Sequence, residues 1–295
     1  MISILIPTYN YNIVKLVTNL QKQCAEQSID YEIIVLDDSS SNKKLKIHNH
    51  SINSFDRCKY IESDKNRGRT ASRDFLAREA MYDWLLFLDA DVMPKYKNFI
   101  HRFVENLNKA QLIFGGIAYT ETKPSVELML RWKYGHSRES LTLKERNKEP
   151  YLTIISGCFF IKKDIFISIN QHLTINKYGL DNVFKQLLEE KKVSILHIDN
   201  PVYHLGLEKN ELYISKALRA VETTVFLENK NLIKLERPLQ KTYLKLKQYR
   251  IHLLIYWILN IFEKQIFKNL KSKTPSLFLF DLYRLTYYIK LKKDA

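Results

Sequence analysis

Hydrophobic residues in the first two thirds of the chain follow two alternating patterns. Short and nearly continuous apolar runs are typical of strands buried on both faces of a parallel sheet. The longer segments between them carry apolar residues three and four positions apart, which predicts amphipathic helices. The predicted strands cover residues 2–6, 31–36, 84–88, 112–114, 154–161 and 193–198, and the predicted helices cover residues 13–23, 70–80, 98–108 and about 182–190.

This alternation of strands and helices predicts βαβ units, whose crossovers are right-handed. We therefore expect an α/β fold with a doubly wound sheet. No repeat or low-complexity linker is visible, so we interpret residues 120–150 as a loop-rich insertion rather than a domain boundary.

The pattern changes after residue 233. Residues 243–267 are rich in Leu, Ile, Tyr, Trp and Lys, and their apolar centre at 251–262 is shorter than the ~20 residues that a membrane-spanning helix needs. Lys and Arg on both sides, with Tyr249, Tyr256 and Trp257 as anchors, suit a helix that lies in the headgroup region. We predict a basic, amphipathic helical extension over residues 231–295. The alternative is a helical subdomain packed on the rest of the chain, with a basic outer face.

The formal net charge of +15 is concentrated at the C-terminal end of this 295-residue chain. From Lys234 onward there are 14 Lys and Arg against four Asp and Glu, so this segment supplies +10 of the total. No helix-turn-helix, zinc-finger or RNP pattern accompanies the basic segment. We therefore expect no nucleic-acid partner and favour attraction to an anionic surface.

Glycine and cysteine positions narrow the possible functions further. The seven glycines form neither GxGxxG nor GxxxxGK[ST], which excludes the dinucleotide-binding fingerprint and the P-loop. The three cysteines form no CxxC pair, so neither a disulfide framework nor a thiolate zinc site is indicated. The N-terminus lacks the basic leader and cleavage site of a secretory signal. We expect a cytoplasmic protein.

Polar residues follow three of the predicted strands. They are Pro7–Asn10, Asp37–Ser40 and Asp89–Asp91. Because ligands of open α/β sheets bind outside the carboxyl ends of the strands, four carboxylates are expected at one rim. Asp89 and Asp91 stand at positions i and i+2 of an extended segment, so both can face one ligand. Paired carboxylates suit Mg²⁺ or Mn²⁺, which commonly complete their shells with substrate phosphates.

Five segments of the chain, taken in order, resemble glycosyltransferase family 2, the inverting enzymes of GT-A fold. They are ISILIPTYN at 2–10, EIIVLDDSS at 32–40, NRGRTASR at 66–73, LLFLDAD at 85–91 and SGCFF at 156–160. The resemblance covers roughly residues 1–210. It implies a mixed, mainly parallel GT-A sheet in a catalytic domain over residues 1–230, with a nucleotide-sugar-binding half at about 1–115 and an acceptor-binding half at about 116–230.

The resemblance also implies roles for individual residues in binding a nucleotide-sugar donor. Asp89 would approach the ribose, and Asp91 would hold the divalent metal, Mn²⁺ or Mg²⁺. Arg69 and Arg73 would contact the diphosphate, although both could instead belong to a solvated helix face. The implied donor-binding set is completed by Pro7, Thr8 and Asp38 at the base and ribose and by Asn66 beside the nucleotide.

Two further positions match catalytic features of the family. The family usually supplies its general base from a Glu-Asp pair, whereas this chain has Tyr178-Gly-Leu-Asp181 and therefore a single acid, Asp181. Asp181 could alternatively act as a helix N-cap. His204 matches the position of a metal-binding histidine, with His197 as a rival and Glu208 as a residue that could orient it.

The resulting prediction is an inverting, metal-dependent glycosyltransferase that moves a sugar from a UDP-sugar to a glycan or lipid-linked acceptor. It would act in the cytoplasm, at the inner face of the plasma membrane. A nucleotidyltransferase is disfavoured because Pro7–Asn10 is not a glycine-rich basic loop. The alternative function is an inactive or regulatory, membrane-surface protein of the same fold that binds nucleotide sugars.

Overall fold

A computed structural model describes residues 1–27, 29–172, 177–234 and 237–293. The chain divides into two compact units. The first contains the described residues of Met1–Tyr119, Glu139–Asn176 and Phe184–Gly206, and the second contains those of Thr120–Arg138, Lys177–Val183 and Leu207–Ala295.

The first unit is built on a seven-stranded sheet with the order β3-β2-β1-β4-β8-β6-β9. The neighbours β1, β2, β3 and β4 run parallel, whereas β8 runs antiparallel to both β4 and β6. A three-stranded sheet has the order β5-β10-β7. The strands are β1 (Ile2–Thr8), β2 (Tyr31–Asp37), β3 (Cys58–Glu62), β4 (Trp84–Leu88), β5 (Val92–Pro94), β6 (Leu112–Phe114), β7 (Ile117–Ala118), β8 (Cys158–Lys162), β9 (Ile195–His197) and β10 (Val202–His204).

Helices flank this sheet in the first unit and make up most of the second. They are α1 (Val14–Ala25), α2 (Lys43–Asn49), α3 (Arg69–Glu79), α4 (Phe99–Val104), α5 (Met129–Arg138), α6 (Leu143–Arg146), α7 (Lys163–Asn170), α8 (Asp181–Glu190), α9 (Asn210–Asn229), α10 (Pro238–Gln248), α11 (His252–Ile261), α12 (Glu263–Leu270) and α13 (Leu277–Lys293). The predicted α/β class with a mixed, mainly parallel sheet is therefore confirmed, and so is the presence of a helical C-terminal region.

The apolar runs that predict strands β1 and β4 correspond to buried residues in the core of the first unit. Every residue of β4 is buried, and so are six of the seven residues of β1, because helices cover both faces of the sheet. Aromatic rings fill the space beside β4. Phe87 packs against Phe159 and Phe166 with ring centroids 5.0 and 4.4 Å apart.

Two local predictions differ from the structure. Residues 120–150 are not mainly loop, because α5 and the short α6 lie within them. The predicted helix at 98–108 ends early, at Val104. The segment 243–267, whose apolar centre at 251–262 suits a helix, contains α11 and parts of α10 and α12. Its first break follows Tyr249, where Arg250 has a φ of 57°, in the left-handed region that a continuous helix cannot contain.

The second unit has an apolar interior of its own. α13 packs along α9 and contacts α10, α11 and α12. One cluster contains Tyr213, Ile214 and Phe280, and another contains Val221, Tyr243 and Tyr288. Among the helices of the described residues, none combines the length and hydropathy that a bilayer crossing requires.

Candidate functional site

The loops that follow β1 and β2 are tied together at the rim of the sheet. The Asp38 amide donates to the Thr8 carbonyl oxygen at 2.9 Å, and the Asn10 amide donates to the Ser40 hydroxyl at 2.7 Å. The Asp37 carboxylate points into this framework. It accepts hydrogen bonds from the Ser40 amide and the Tyr60 hydroxyl, both at 2.6 Å, and is 1% exposed. Asp37 therefore supports the loop and does not face a ligand.

The next carboxylate, Asp38, fixes the segment that precedes α3. It accepts hydrogen bonds from the Arg67 and Gly68 amides at 2.7 and 2.9 Å. The Asn66 side chain donates to the Asp38 carbonyl oxygen at 3.0 Å. Gly68 has a φ of 79°, a backbone conformation that costs a residue with a side chain more than it costs glycine. As a result, Asp38 determines where α3 begins.

Two arginines of α3 bind Asp89, the residue that follows β4. They are one helical turn apart, so their side chains project from the same face. Arg69 and Arg73 each donate to a different Asp89 carboxylate oxygen at 2.7 Å. Arg69 also donates to the Ser156 hydroxyl at 2.7 Å, and Arg73 donates to the Ser156 carbonyl oxygen. We call Arg69, Arg73, Asp89 and Ser156 the arginine clamp.

The two arginines differ in exposure. The side chain of Arg73 is 8% exposed and its guanidinium lies 5.5 Å from the Phe159 ring centroid, whereas the side chain of Arg69 is 42% exposed. A buried guanidinium is stable only when it is paired with an acid, so Asp89 and Arg73 depend on each other. The clamp neutralises Asp89.

Asp91 lies next to an imidazole. Its carboxylate oxygen Oδ2 is 3.5 Å from Nε2 of His204, on β10. The Leu205 amide donates to the Asp91 carbonyl oxygen at 2.8 Å, and β10 pairs antiparallel with β5, the strand that follows Asp91. The pKa of Asp91 is raised above its ordinary value, mainly by burial. The nearby His204 opposes this increase, and the carboxylate of Asp89 adds to it.

This pair of side chains fits the donor chemistry of a divalent metal. A carboxylate oxygen and an imidazole nitrogen are both acceptable to Mn²⁺, and an ion of this kind commonly takes its remaining ligands from water and substrate phosphates. Across residues 1–27, 29–172, 177–234 and 237–293, no three His, Cys, Asp or Glu side chains are arranged to hold a metal ion. Asp91 and His204 would therefore provide two protein ligands and leave the other positions to substrate and water.

The rival histidine, His197, has a structural environment. It is 4% exposed, and its ring nitrogens lie 3.0 Å from the Pro150 carbonyl oxygen and 3.3 Å from an Arg146 guanidinium nitrogen. Burial lowers the pKa of His197 to about 4, so it is neutral at pH 7. His197 therefore packs against Arg146 and helps to position it, whereas His204 is the histidine beside Asp91.

Asp181 occupies the first position of α8 and belongs to the second unit. Gly179, two residues earlier, has a φ of 94°, and a Cβ added there would lie 3.2 Å from the Ala220 Cβ on α9. The segment that carries Asp181 is therefore packed against α9 through the close approach at Gly179. Glu208, also in the second unit, forms an ion pair with Lys216. The suggested effect of Glu208 on His204 stays a prediction.

The sequence profile described as "Glycosyl transferase family 2" matches residues 3–170, which is more than half of the chain. The chain belongs to glycosyltransferase family 2. Two uncharacterized glycosyltransferases of Haemophilus influenzae are similar to it. One is 34% identical over 205 residues, covering 67% of this chain and 75% of the relative, and the other is 27% identical over 214 residues, covering 68% and 67%.

The fold of this family 2 glycosyltransferase is also found in solved structures. A mannosyltransferase from Pyrobaculum calidifontis, determined in complex with GDP-Man and Mn²⁺, superimposes with a TM-score of 0.54. The match covers 99% of this chain and 87% of the mannosyltransferase at 13% sequence identity, so it supports the shared fold alone. The predicted family and the predicted transferase class are both confirmed.

Gly206, which the sequence analysis does not predict as a site residue, lies against Asp91 in this glycosyltransferase. A Cβ added to Gly206 would lie 1.9 Å from Asp91 Oδ2 and 2.8 Å from Asp91 Cβ. Any side chain at position 206 would therefore displace Asp91. The requirement arises from a contact that is distant in sequence, and a single glycine after a strand does not indicate it.

Gly206→Ala should disable the site. The added methyl group forces Asp91 out of position, and a misplacement of about 1 Å in a catalytic group can cost ~10²-fold in rate. We expect release of nucleoside diphosphate from a nucleotide sugar to fall by about that factor, with an unchanged far-ultraviolet circular dichroism spectrum.

Gly157→Ala is the matched control, because a Cβ at position 157 would lie 3.5 Å from Asp89 Oδ2, an ordinary van der Waals distance. Wild-type rates in Gly206→Ala would contradict this account of the Asp91 position.

Proposed function

We propose that this glycosyltransferase moves a sugar from a nucleotide-diphosphate donor, a UDP-sugar, to a glycan or lipid-linked hydroxyl with inversion at the anomeric carbon. The observation that carries the proposal is the pairing of Asp91 with His204 beside the neutralised Asp89. It supports a site with one carboxylate available for a cation and with cationic groups next to it for phosphate. Residues 1–230 would form the catalytic domain and residues 231–295 the extension.

In this proposal Asp91 and His204 hold a divalent ion, Mn²⁺ or Mg²⁺. When bound, such an ion supplies Lewis-acid stabilisation of the charge that develops on the leaving diphosphate. A mannosyltransferase of similar fold was determined in complex with GDP-Man and Mn²⁺, and we extend metal binding to this chain as part of the proposal. The two protein ligands and the mixed oxygen and nitrogen donors suit an ion that completes its shell with diphosphate oxygens.

Residues at the ends of β1, β2 and β4 would bind the donor. Pro7 and Thr8 lie at the end of β1. The Asp38 amide donates to the Thr8 carbonyl oxygen, and the Asn66 side chain donates to the Asp38 carbonyl oxygen. We assign Pro7, Thr8 and Asp38 to the base and ribose, and Asp89 to the ribose. Asn66 belongs to the segment that would lie against the nucleotide and diphosphate. Arg69, the more exposed arginine of the clamp, would contact the diphosphate, because a guanidinium pairs with phosphate oxygens through two N–H groups. Arg73 would support it from the buried side.

Asp181 is the proposed general base. It would take the proton from the acceptor hydroxyl as that oxygen attacks the anomeric carbon from the side opposite the leaving diphosphate. An α-linked donor would then give a β-linked product. A negative charge at the start of α8 is also favourable for the helix, so the charge of Asp181 has a structural role that a test must separate from catalysis.

Asp181→Asn provides this separation. Asn keeps the size and hydrogen-bonding capacity of the side chain but cannot accept the proton, so transfer to acceptor should fall at least 10²-fold. Loss of the favourable charge at the helix N-terminus should cost only about 0.3–1 kcal/mol of unfolding free energy. Both quantities can be measured on the same preparation, by product formation and by thermal unfolding.

Val183→Ala, in the first turn of the same helix, controls for local loosening. Transfer at the wild-type rate by Asp181→Asn would exclude Asp181 as the base. If wild-type protein also fails to release nucleoside diphosphate from any of a panel of nucleotide sugars, the alternative of an inactive nucleotide-sugar-binding protein is favoured.

We also propose that the glycosyltransferase binds the inner surface of the plasma membrane through α11. None of the ten residues of α11, all of them described, is buried. Residues 252, 255, 256 and 259 are half-buried, whereas the opposite stripe is apolar and exposed. This exposed stripe consists of Leu253, Leu254, Trp257, Ile258 and Ile261.

The charges around this stripe favour a lipid surface over a protein partner. Lys245, Lys247 and Arg250 precede α11, and Lys264 and Lys268 follow it, all of them exposed. An apolar stripe bordered by basic residues matches the headgroup region of an anionic bilayer, where each nearby basic side chain contributes about 1 kcal/mol.

Replacing Leu254 and Trp257 together by Glu should lower binding to phosphatidylglycerol vesicles at least tenfold. Burial of each of these side chains is worth about 1.5–3 kcal/mol, and the added charges repel the lipid. Flotation of the full-length protein measures the binding. Ile47→Glu, at an exposed apolar residue of α2, is the matched control. Equal flotation of the wild type and the double variant would contradict the proposal, as would equal binding to neutral vesicles; loss of self-association instead would indicate a protein contact.

A further inference from the structure

The helical second unit contains a cavity of about 530 Å³. Its walls come from α5, from the start of α8, and from α9, α10 and α13, and every lining residue belongs to the second unit. Two aromatic residues, Tyr134 and Phe278, line it together with the polar side chains of Thr224 and Thr242. A cavity of this volume lies within the range of small-molecule binding sites.

The charge of the lining is positive. Arg138, Arg237 and Arg284 line the cavity, and Asp281 is its acidic lining residue. Asp281 is shared by two of these arginines. Its Oδ2 lies 2.9 Å from Arg138 Nη2, and its Oδ1 lies 3.6 Å from Arg284 Nη1. One carboxylate therefore serves two guanidinium groups and leaves an excess positive charge in the cavity.

Arg237 supplies one of the two excess positive charges among these four residues. In the part of the chain that the structure describes, no carboxylate lies within ion-pair distance of its guanidinium. Burial lowers the pKa of Arg237 to about 10, and the charge of Glu228 only partly opposes this shift. The Glu228 carboxylate is engaged elsewhere, because it accepts from Gln240 at 2.7 Å and from Tyr288 at 2.8 Å and lies 2.9 Å from the Lys292 ammonium.

Arg284 is only partly compensated, because Asp281, which lies 3.6 Å from its Nη1, also pairs with Arg138. The Nε atom of Arg284 is buried and has no hydrogen-bond partner among the described residues. Burial of a charged donor without a partner costs free energy, and an anionic ligand beside the same guanidinium would offset part of that cost electrostatically. An anion is the ligand chemistry that these side chains match.

The position of the cavity relates it to the proposed reaction. Asn182 lines it and directly follows Asp181, the proposed general base. We infer that this cavity binds the phosphate group of the sugar acceptor, with Arg237 and Arg284 as the phosphate-binding residues. This inference rests on the proposed function for its link to the acceptor, whereas the phosphate site itself stands on the cavity lining.

Phosphate on an acceptor could come from a small phosphorylated molecule or from a lipid. Glycerol 3-phosphate represents the first source, and water-soluble dihexanoyl phosphatidic acid represents the second. Both are titrated against the full-length protein by isothermal calorimetry in EDTA without nucleotide, so that metal-dependent binding at the donor site does not contribute.

We expect saturable binding of at least one of these probes and none of glycerol. Arg237→Gln should weaken this binding at least tenfold, and Arg237→Lys, which keeps the charge, should weaken it less. Arg219→Gln removes an exposed arginine of α9 that does not line the cavity, and it should bind like the wild type. Tighter binding of the lipid probe would assign a lipid-borne acceptor, and tighter binding of glycerol 3-phosphate would assign a small one.

The inference is overturned if neither phosphate probe binds the wild type, or if Arg237→Gln binds as tightly as the wild type. Circular dichroism melting identifies a variant that has lost its fold, and in that case the comparison of phosphate with glycerol on the wild type still decides. Phosphate binding without donor hydrolysis would defeat the proposed function alone. Donor hydrolysis without phosphate binding would defeat this inference alone.

Discussion

The ion pairs between Asp89 and the two arginines of α3 are the interaction on which the proposed site depends. Arg73 is nearly buried and Arg69 is half-exposed, yet both donate to the same carboxylate. Removing either partner of a buried charge pair leaves an uncompensated charge, which typically costs several kcal/mol. The pairs therefore hold the first turns of α3 against the end of β4. Ser156, which lies two residues before β8, is bound by both arginines and so joins the same arrangement.

This clamp gives the two carboxylates of the Asp-Ala-Asp segment different functions. Asp89 is neutralised by guanidinium groups, so its charge is already compensated. Asp91 lies beside His204 in a partly buried position, with Gly206 leaving just enough space for its carboxylate. A cation that enters the site would meet one compensated acid and one available acid. The proposed metal role of Asp91 follows from this difference, which the spacing of two acids in the sequence does not reveal.

Local sequence patterns predicted the parts of the fold that local physics determines. The apolar run at β4 and the periodic segment at α3 lie close to their predicted positions. A strand buried on both faces leaves a continuous apolar run, whereas a helix buried on one face leaves apolar residues three and four positions apart. β3 was not predicted, because Lys59 and Glu62 interrupt its apolar residues. α5 was not predicted either, because its stability depends on packing against α9.

The candidate site shows the same limit. Asp89, Asp91 and His204 could be identified because strand ends and family motifs mark them. Gly206 and the shared role of Ser156 could not. The contacts of Ser156 join residues 87 and 83 positions apart, and the requirement at Gly206 is a steric limit set by Asp91. The cavity in the second unit could not be predicted from the sequence either. Its arginines lie on α5, at the start of α10 and on α13, and they belong to no sequence motif.

Cation binding by Asp91 is the central claim, and electron paramagnetic resonance of Mn²⁺ tests it most directly. The wild type and Asp91→Asn are titrated with Mn²⁺ in the presence of UDP or GDP, whichever raises the melting temperature of the wild type more. The account predicts nucleotide-dependent Mn²⁺ binding by the wild type that is at least tenfold weaker in Asp91→Asn, with both proteins equally folded. Equal Mn²⁺ affinity in the two proteins would contradict it.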